Sequence, residues 1–244
     1  SVRLYMWSSS EHFADPNLKV PSKGVCQNWC NVVRTSMLFR ALLDALDAWA
    51  TNGILPPDSR IPRRSDGSLV SMDEWRKGFP DIPGLALPKG PAELPLLDFG
   101  PDFGKGILSK EPPSIVDEPG YTTLVPATDG DGNDIGGVRA PMVEAPLATY
   151  TGWNLRARGF GEGAKYKFSG STIPFPETTD ERTSTGDPRK AIKERYEDVS
   201  AYQAAIGSAA ELLVADRLML EEDIDRCIEW ASGWDRDRHD LKSL

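Results

Sequence analysis

Histidine is the scarcest chemical resource in this 244-residue chain, which carries only His12 and His239. Any imidazole acid–base chemistry is therefore confined to two places. Cysteine is nearly as rare, with Cys26, Cys30 and Cys227. Three thiols cannot all pair within one chain. Cys26 and Cys30 are near enough to bridge locally, and the alternative is ordinary buried thiols. With no fourth ligand and His12 some distance upstream, a closed zinc site is poorly supported, and neither metal nor cofactor is expected. No apolar run approaches the roughly 18 residues of a membrane span. Positive charge is in deficit too: 28 Lys and Arg against 37 Asp and Glu give a net charge of −9. With a pI near 4.9, nucleic acid and anionic membrane surfaces are disfavoured as partners. The strained G-x-S-x-G turn that exposes a serine nucleophile appears nowhere.

The remaining composition suits one large domain or two small ones. Hydrophobic residues make up 39% and mean hydropathy is −0.40, a thin apolar supply for a compact enzyme. The chain opens on Ser1 instead of Met, and lacks the basic and apolar regions of a signal peptide. It therefore reads as a processed chain or a fragment, and no compartment follows from it.

The stretch with most to say is SVRLYMWSSSEH, Ser1 to His12. Val2, Leu4 and Met6 alternate with Arg3, Tyr5 and Trp7, the pattern of a strand with one face in a core. Ser8, Ser9 and Ser10 break it, and His12 falls just beyond its C-terminal end. In open α/β sheets that is where chemistry gathers.

Three zones follow. Residues 1–53 read as a terminal strand–loop–helix unit. A proline- and glycine-punctuated loop covers Phe13 to Asn31, and a helix over Val32 to Thr51 carries Leu38, Leu42, Ala45, Leu46 and Trp49 on one apolar face. Asn52-Gly53 stops it. Residues 54–186 hold 17 of the 20 prolines, predicting an extended wrap with short strands such as Thr122–Val125 and Gly137–Arg139. Asp129-Gly130-Asp131-Gly132-Asn133 reads as a hairpin tip. Its likeness to a calcium loop fails because Asp134 stands where Gly is wanted and Ala140 where the bidentate Glu belongs. Residues 187–244 read as helical, with Asp187 and Pro188 opening one helix and a Ser200/Gln203 capping box a second. A buried stripe of Ile206, Ala209, Ala210 and Leu213 runs along the second. A third helix aligns Ile224, Cys227, Ile228 and Ala231, and His239 lies in a charged tail beyond it. The zones read as one domain overall.

Specific phrases run through the chain: Leu124-Val125-Pro126 with Asp131-Gly132-Asn133, then Thr149-Tyr150-Thr151-Gly152-Trp153-Asn154. Gly186-Asp187-Pro188-Arg189 and Glu194-Arg195-Tyr196 follow, with Pro56-Pro57-Asp58-Ser59-Arg60 upstream. In these the chain resembles the bacterial family of alpha/beta hydrolase domain proteins. The resemblance implies an α/β fold of which this is the C-terminal part: last sheet strand, histidine loop and amphipathic helix, then the proline-rich region and helices. It implies longer full-length members whose N-terminal half holds most of the parallel sheet and the nucleophile. His12 then matches the family's histidine after the last strand. The loop departs from the expected G-T-x-H turn by reading Ser9-Ser10-Glu11-His12.

On that resemblance the expected function is ester-type hydrolysis of a small molecule. His12 would act as general base and general acid, with nucleophile and acid upstream in the missing N-terminal portion of the same polypeptide. The chain alone would then be inactive. Against this stand a loop-ordering role for His12, a non-catalytic binding or assembly module on a hydrolase-like scaffold, and Ser1 as an N-terminal nucleophile. Trp153 and Asn154 are candidates to line a substrate pocket, or else Trp153 anchors the wrap to the core. Asp187, Arg189, Glu194 and Arg195 read as a structural charge network. Arg182 is either a carboxylate binder or an ordinary ion-pair residue.

Overall fold

Ala148–Thr151 supplies four consecutive buried residues, and the fold is assembled around that strand. The computed structural model describes residues 2–12, 22–91, 94–116 and 121–233. Ser1, His239 with its charged tail, and part of the expected loop after His12 lie outside the described residues. In chain order the strands are β1 (Trp29–Cys30), β2 (Leu69–Val70), β3 (Leu96–Asp98), β4 (Ser114–Val116), β5 (Val125–Pro126), β6 (Ala148–Thr151), β7 (Asn154–Leu155), β8 (Lys165–Tyr166) and β9 (Ser171–Pro174). The helices are α1 (Ser36–Asn52), α2 (Met72–Gly78), α3 (Pro141–Glu144), α4 (Thr179–Thr185), α5 (Ile192–Arg195), α6 (Val199–Ala215) and α7 (Ile224–Ala231).

The central sheet runs β1-β9-β6, all antiparallel, and three separate two-stranded ladders join β2 to β5, β3 to β4 and β7 to β8. The other edge of β6 is completed by a side chain. The buried Asn133 amide donates to Ala148 O at 3.2 Å and its oxygen accepts from Tyr150 N at 2.7 Å. One carboxamide thus replaces a strand's worth of pairing for a buried backbone that needs partners. A large core gathers Leu38, Val143, Phe175, Ile192 and Ile206 beneath the sheet, while Trp75, Phe79 and Ile82 form a smaller one under the proline-rich wrap.

Arg189 locks the two layers together. It is 2% exposed, and all five of its guanidinium N–H donors have acceptors. Nε and one Nη meet the Asp187 carboxylate at 2.9 and 2.6 Å; the others reach Thr149 Oγ1, Ile173 O and Pro174 O. Burial works to raise the Asp187 pKa, but the hydrogen bonds and charge of Arg189 outweigh it and hold the carboxyl below its ordinary value. The structural charge network expected of this motif is therefore present, with Arg195 paired to Asp131 and Arg182 to Glu194.

Several local expectations change. Asp187 does not open a helix: α4 ends at Gly186 with φ 75°, and α5 begins at Ile192 with Ala191 as its cap. The Asp187 carboxylate is taken by the Arg189 amide and guanidinium instead. Asp198, not Ser200, caps α6, accepting from Ala201 N at 2.8 Å, while Gln203 reaches across to Ile228 O of α7. The stripe Ile206, Ala209, Ala210 and Leu213 is buried as expected. Gly137–Arg139 makes one bridge, Val138 to Trp7, and only Val125 of the Thr122–Val125 stretch enters a ladder. Trp29–Cys30, inside the expected loop, is a strand of the main sheet. Cys26, Cys30 and Cys227 are all free thiols, so the bridge left open by the sequence is not made. Burial pushes the Cys227 thiol up to about 12.

Helix α1 stops at Gly53, whose φ of 70° closes the last turn. Its buried face is Met37, Leu38, Ala41 and Ala45, so the expected face is corrected at Leu46, which is 54% exposed. The helix is apolar on two sides, and Phe39, Leu43 and Leu46 form the outer stripe at i, i+4 and i+7. Replacing Arg189 with Leu leaves the Asp187 carboxylate buried without its ion pair and removes a donor from each of two strand carbonyls. The expected cost is about 3–5 kcal/mol of unfolding free energy, measured by urea denaturation. Lys193→Gln, removing an exposed ammonium 3.7 Å from Glu177, is expected to change it by less than about 1 kcal/mol.

Candidate active site: the histidine loop and the adjoining cavity

Residues Leu4 to Ser8 run extended, and one edge is paired in parallel with two unrelated segments. Arg60 N donates to Leu4 O and Met6 N to Arg60 O; Val138 N donates to Met6 O and Ser8 N to Val138 O. Tyr5 and Trp7 turn toward the core, while Val2 and Leu4 are 73% and 54% exposed. Among the described residues, no backbone segment pairs with the edge presented by Tyr5 and Trp7.

The serines end this run through specific bonds. Ser9 has φ 54°, a left-handed conformation that ordinarily favours glycine. It occupies the position of the glycine in the expected G-T-x-H turn, and its positive φ is one that glycine adopts readily. Reciprocal bonds hold it: Ser9 N donates to Asp134 Oδ2 at 2.8 Å, and Asp134 N donates to Ser9 Oγ at 2.7 Å. The buried Asn31 amide donates to Ser9 O and Thr151 O at 2.7 and 2.9 Å. Ser8 Oγ donates to Gly136 O and Ser10 Oγ to Trp7 O, so each loop serine has a structural task. Gly137 lets the loop approach, since a Cβ there would lie 2.6 Å from Met6 O and 2.7 Å from Ser8 Oγ.

His12 follows, exposed, with its ring edge-on to Phe168 at 5.4 Å. Phe168 meets Tyr166 at 6.2 Å, and Tyr166 lines a cavity of about 330 Å³. That volume lies at the lower end of small-molecule sites. Trp75, Trp153 and Met72 give it apolar walls, Lys165 and Lys167 contribute ammonium groups, and Asp134 contributes a carboxylate. Asp134 thus touches both the histidine loop, through Ser9, and the cavity. Burial drives its pKa up to about 6, against the lowering effects of the Ser9 amide and of Arg139, with Asp129 adding to the rise.

The two binding candidates separate. Trp153 lines the cavity and also packs on Trp75 and Phe79, with ring centroids at 6.1 and 6.2 Å. Asn154 is fully buried, and its carboxamide is spent on Asn28 O, Gly170 O and the amides of Asn28 and Leu155. The structure brings Trp153 and the histidine loop to neighbouring walls and leaves Asn154 beneath them. Sequence reasoning missed Asp134, Asn31 and Lys167 as site residues. For Asp134 a signal existed, since an acid stood where a calcium loop requires glycine. Asp129 and Asp131 of that turn are paired with Arg139 and Arg195. Among the described residues no group of three or more His, Cys, Asp or Glu is placed to hold a metal ion, and no helix is long and apolar enough to cross a membrane.

The chain mixes helices and strands and carries a histidine on a loop at the end of an extended segment, which fits an α/β fold. A family model described as alpha/beta hydrolase domain matches residues 2–229. The chain belongs to that family. Comparison with curated proteins found no match, and comparison with solved structures found none.

Asp134 yields a pH test. A carboxyl raised toward 6 in the folded state adds stability that is complete below its unfolded pKa near 4 and is lost as pH rises through 6. Asp134→Asn keeps an acceptor for the Ser9 amide and removes the charge. It is expected to raise unfolding free energy at pH 8 by about 1–2 kcal/mol and to gain nothing at pH 4. Equal effects at both values would show that charge burial is not the cause.

Proposed function

We propose that this chain contributes His12 as the general base and general acid of a serine hydrolase acting on ester-type bonds. Its nucleophile and orienting acid are supplied from outside residues 1–244. A base must be reachable by the hydroxyl it deprotonates, and His12 stands exposed at the end of a loop held from behind by Asp134 and Asn31. The observation that carries the reading is the open edge leading into that loop. The backbone edge presented by Tyr5 and Trp7 has no paired strand among the described residues, and exposed Val2, Leu4, Phe39, Leu43 and Leu46 lie at the start of that segment and on α1. Trp7 and Phe39 touch edge-on at 5.2 Å, joining the two elements. Such an edge accepts a further parallel strand, and the apolar stripe offers a surface for the sheet to pack on. The segment, loop and helix of residues 1–53 form the terminal unit of that larger core, residues 54–186 the wrap and 187–244 the helical close.

A second reading, a non-catalytic binding module on the same scaffold, is favoured by the cavity, which this chain builds from its own side chains. In the polypeptide that carries this chain, a G-x-S-x-G turn preceding residue 1 separates the two. Purified residues 1–244 are expected to give no p-nitrophenyl ester turnover above background and no fluorophosphonate labelling. The polypeptide that includes the serine turn is expected to show both, with His12→Ala lowering kcat by about 10³-fold or more. His12-dependent turnover by residues 1–244 alone would overturn the shared-site reading.

A further inference from the structure

We propose that the cavity beside the histidine loop binds a flat, mainly apolar carboxylate, its ring against Trp153 and its anionic end toward Lys167. This names a ligand class for the proposed hydrolase, and it rests on that reading for the ligand's role as substrate or product acid.

The size sets the first limit. About 330 Å³ admits a bicyclic ring or a short branched acyl group and excludes a polymer segment. The walls set the second. Trp75 and Phe79 are buried and pack against Trp153 at ring distances of 6.1 and 6.2 Å; Trp75 and Trp153 both line the cavity, so a ring entering it meets aromatic walls held in place by the small core. Met72 and Val125 continue this apolar surface, and Met adapts to varied shapes.

The charges set the third. Lys165 and Lys167 both line the cavity, and Lys165 is fixed by donating to Gly90 O at 2.8 Å. Lys167, two residues on, is exposed and supplies a second ammonium on the same wall. The opposing acid, Asp134, is the group that burial already draws toward neutrality. A cationic ligand would meet two lysines and one reluctant carboxylate, and a neutral hydrocarbon would make no use of the exposed Lys167 ammonium. A polyphosphate would be poorly matched to walls that are largely aromatic and proline. One carboxylate on an apolar body satisfies all three limits.

Isothermal titration of the 244-residue protein with 2-naphthoate, 2-naphthalenemethanol and 2-naphthylmethylamine tests this directly. Naphthoate is expected to bind at one site, about five- to tenfold tighter than the alcohol, with the amine weakest. Lys167→Gln is expected to abolish the preference for naphthoate over the alcohol. Trp153→Ala is expected to weaken both by about tenfold, and Trp153→Phe, which keeps a ring and the small core, to restore most of the affinity. No saturable naphthoate binding, equal affinity for the alcohol, or indifference to Trp153→Ala in a folded variant would overturn the proposal. Since the readout is binding, it is decided separately from ester turnover and from the role of His12.

Discussion

The Arg189 guanidinium is the constraint on which the rest of the structure depends. Three of its five donors join the Gly186–Arg189 turn to strands β6 and β9, the other two bind Asp187 within the turn, and Thr149 Oγ1, which accepts from it, donates onward to Asp131 O. Asp131 is held in turn by Arg195, and Arg195 and Arg189 both lie over the Phe175 ring, at 4.4 and 5.0 Å. The loop that contains Asp131 continues directly into Asn133 and Asp134, which close the edge of β6 and the back of the histidine loop. A short path of charge-assisted hydrogen bonds therefore runs from the helical zone to Ser9. Buried polar links of this kind specify one arrangement, because any slip leaves an unpaired charge in a low-dielectric interior.

The histidine loop shows how a glycine-like backbone is kept without glycine. A left-handed serine costs roughly 1 kcal/mol, and at Ser9 that cost is offset by two bonds with Asp134 and one from Asn31. The same Asp134 carboxylate lines the cavity. One half-buried acid thus borders both the histidine loop and the cavity.

Several local features were legible in the sequence. The stripe on α6, the stop at Gly53 and the turn at Asp129–Asn133 depend on local periodicity and on glycine backbone freedom, and each is where those rules put it. The errors arose where a side chain had two possible employers. Asp187 has the form of a helix cap but serves Arg189, and Ser200 lost its cap role to Asp198. Helix α1 carries apolar residues on two faces, and periodicity cannot say which one the core takes. The strand Trp29–Cys30 was hidden because two residues offer no pattern; its pairing with β9 is set by a segment more than 140 positions away.

By itself the sequence determined the family, through phrases such as Thr149–Asn154 and Gly186–Arg189, and it confined imidazole chemistry to His12 and His239. It also fixed the local turns, because those follow from the allowed φ of single residues. Only the tertiary structure decided that Asp134, Trp153 and Tyr166 line one cavity, that Asn154 is spent on backbone, and that the edge at Tyr5 and Trp7 has no paired strand among the described residues. These are contacts between segments far apart in the chain. Their geometry is set by which buried polar groups find partners, and no local pattern records that.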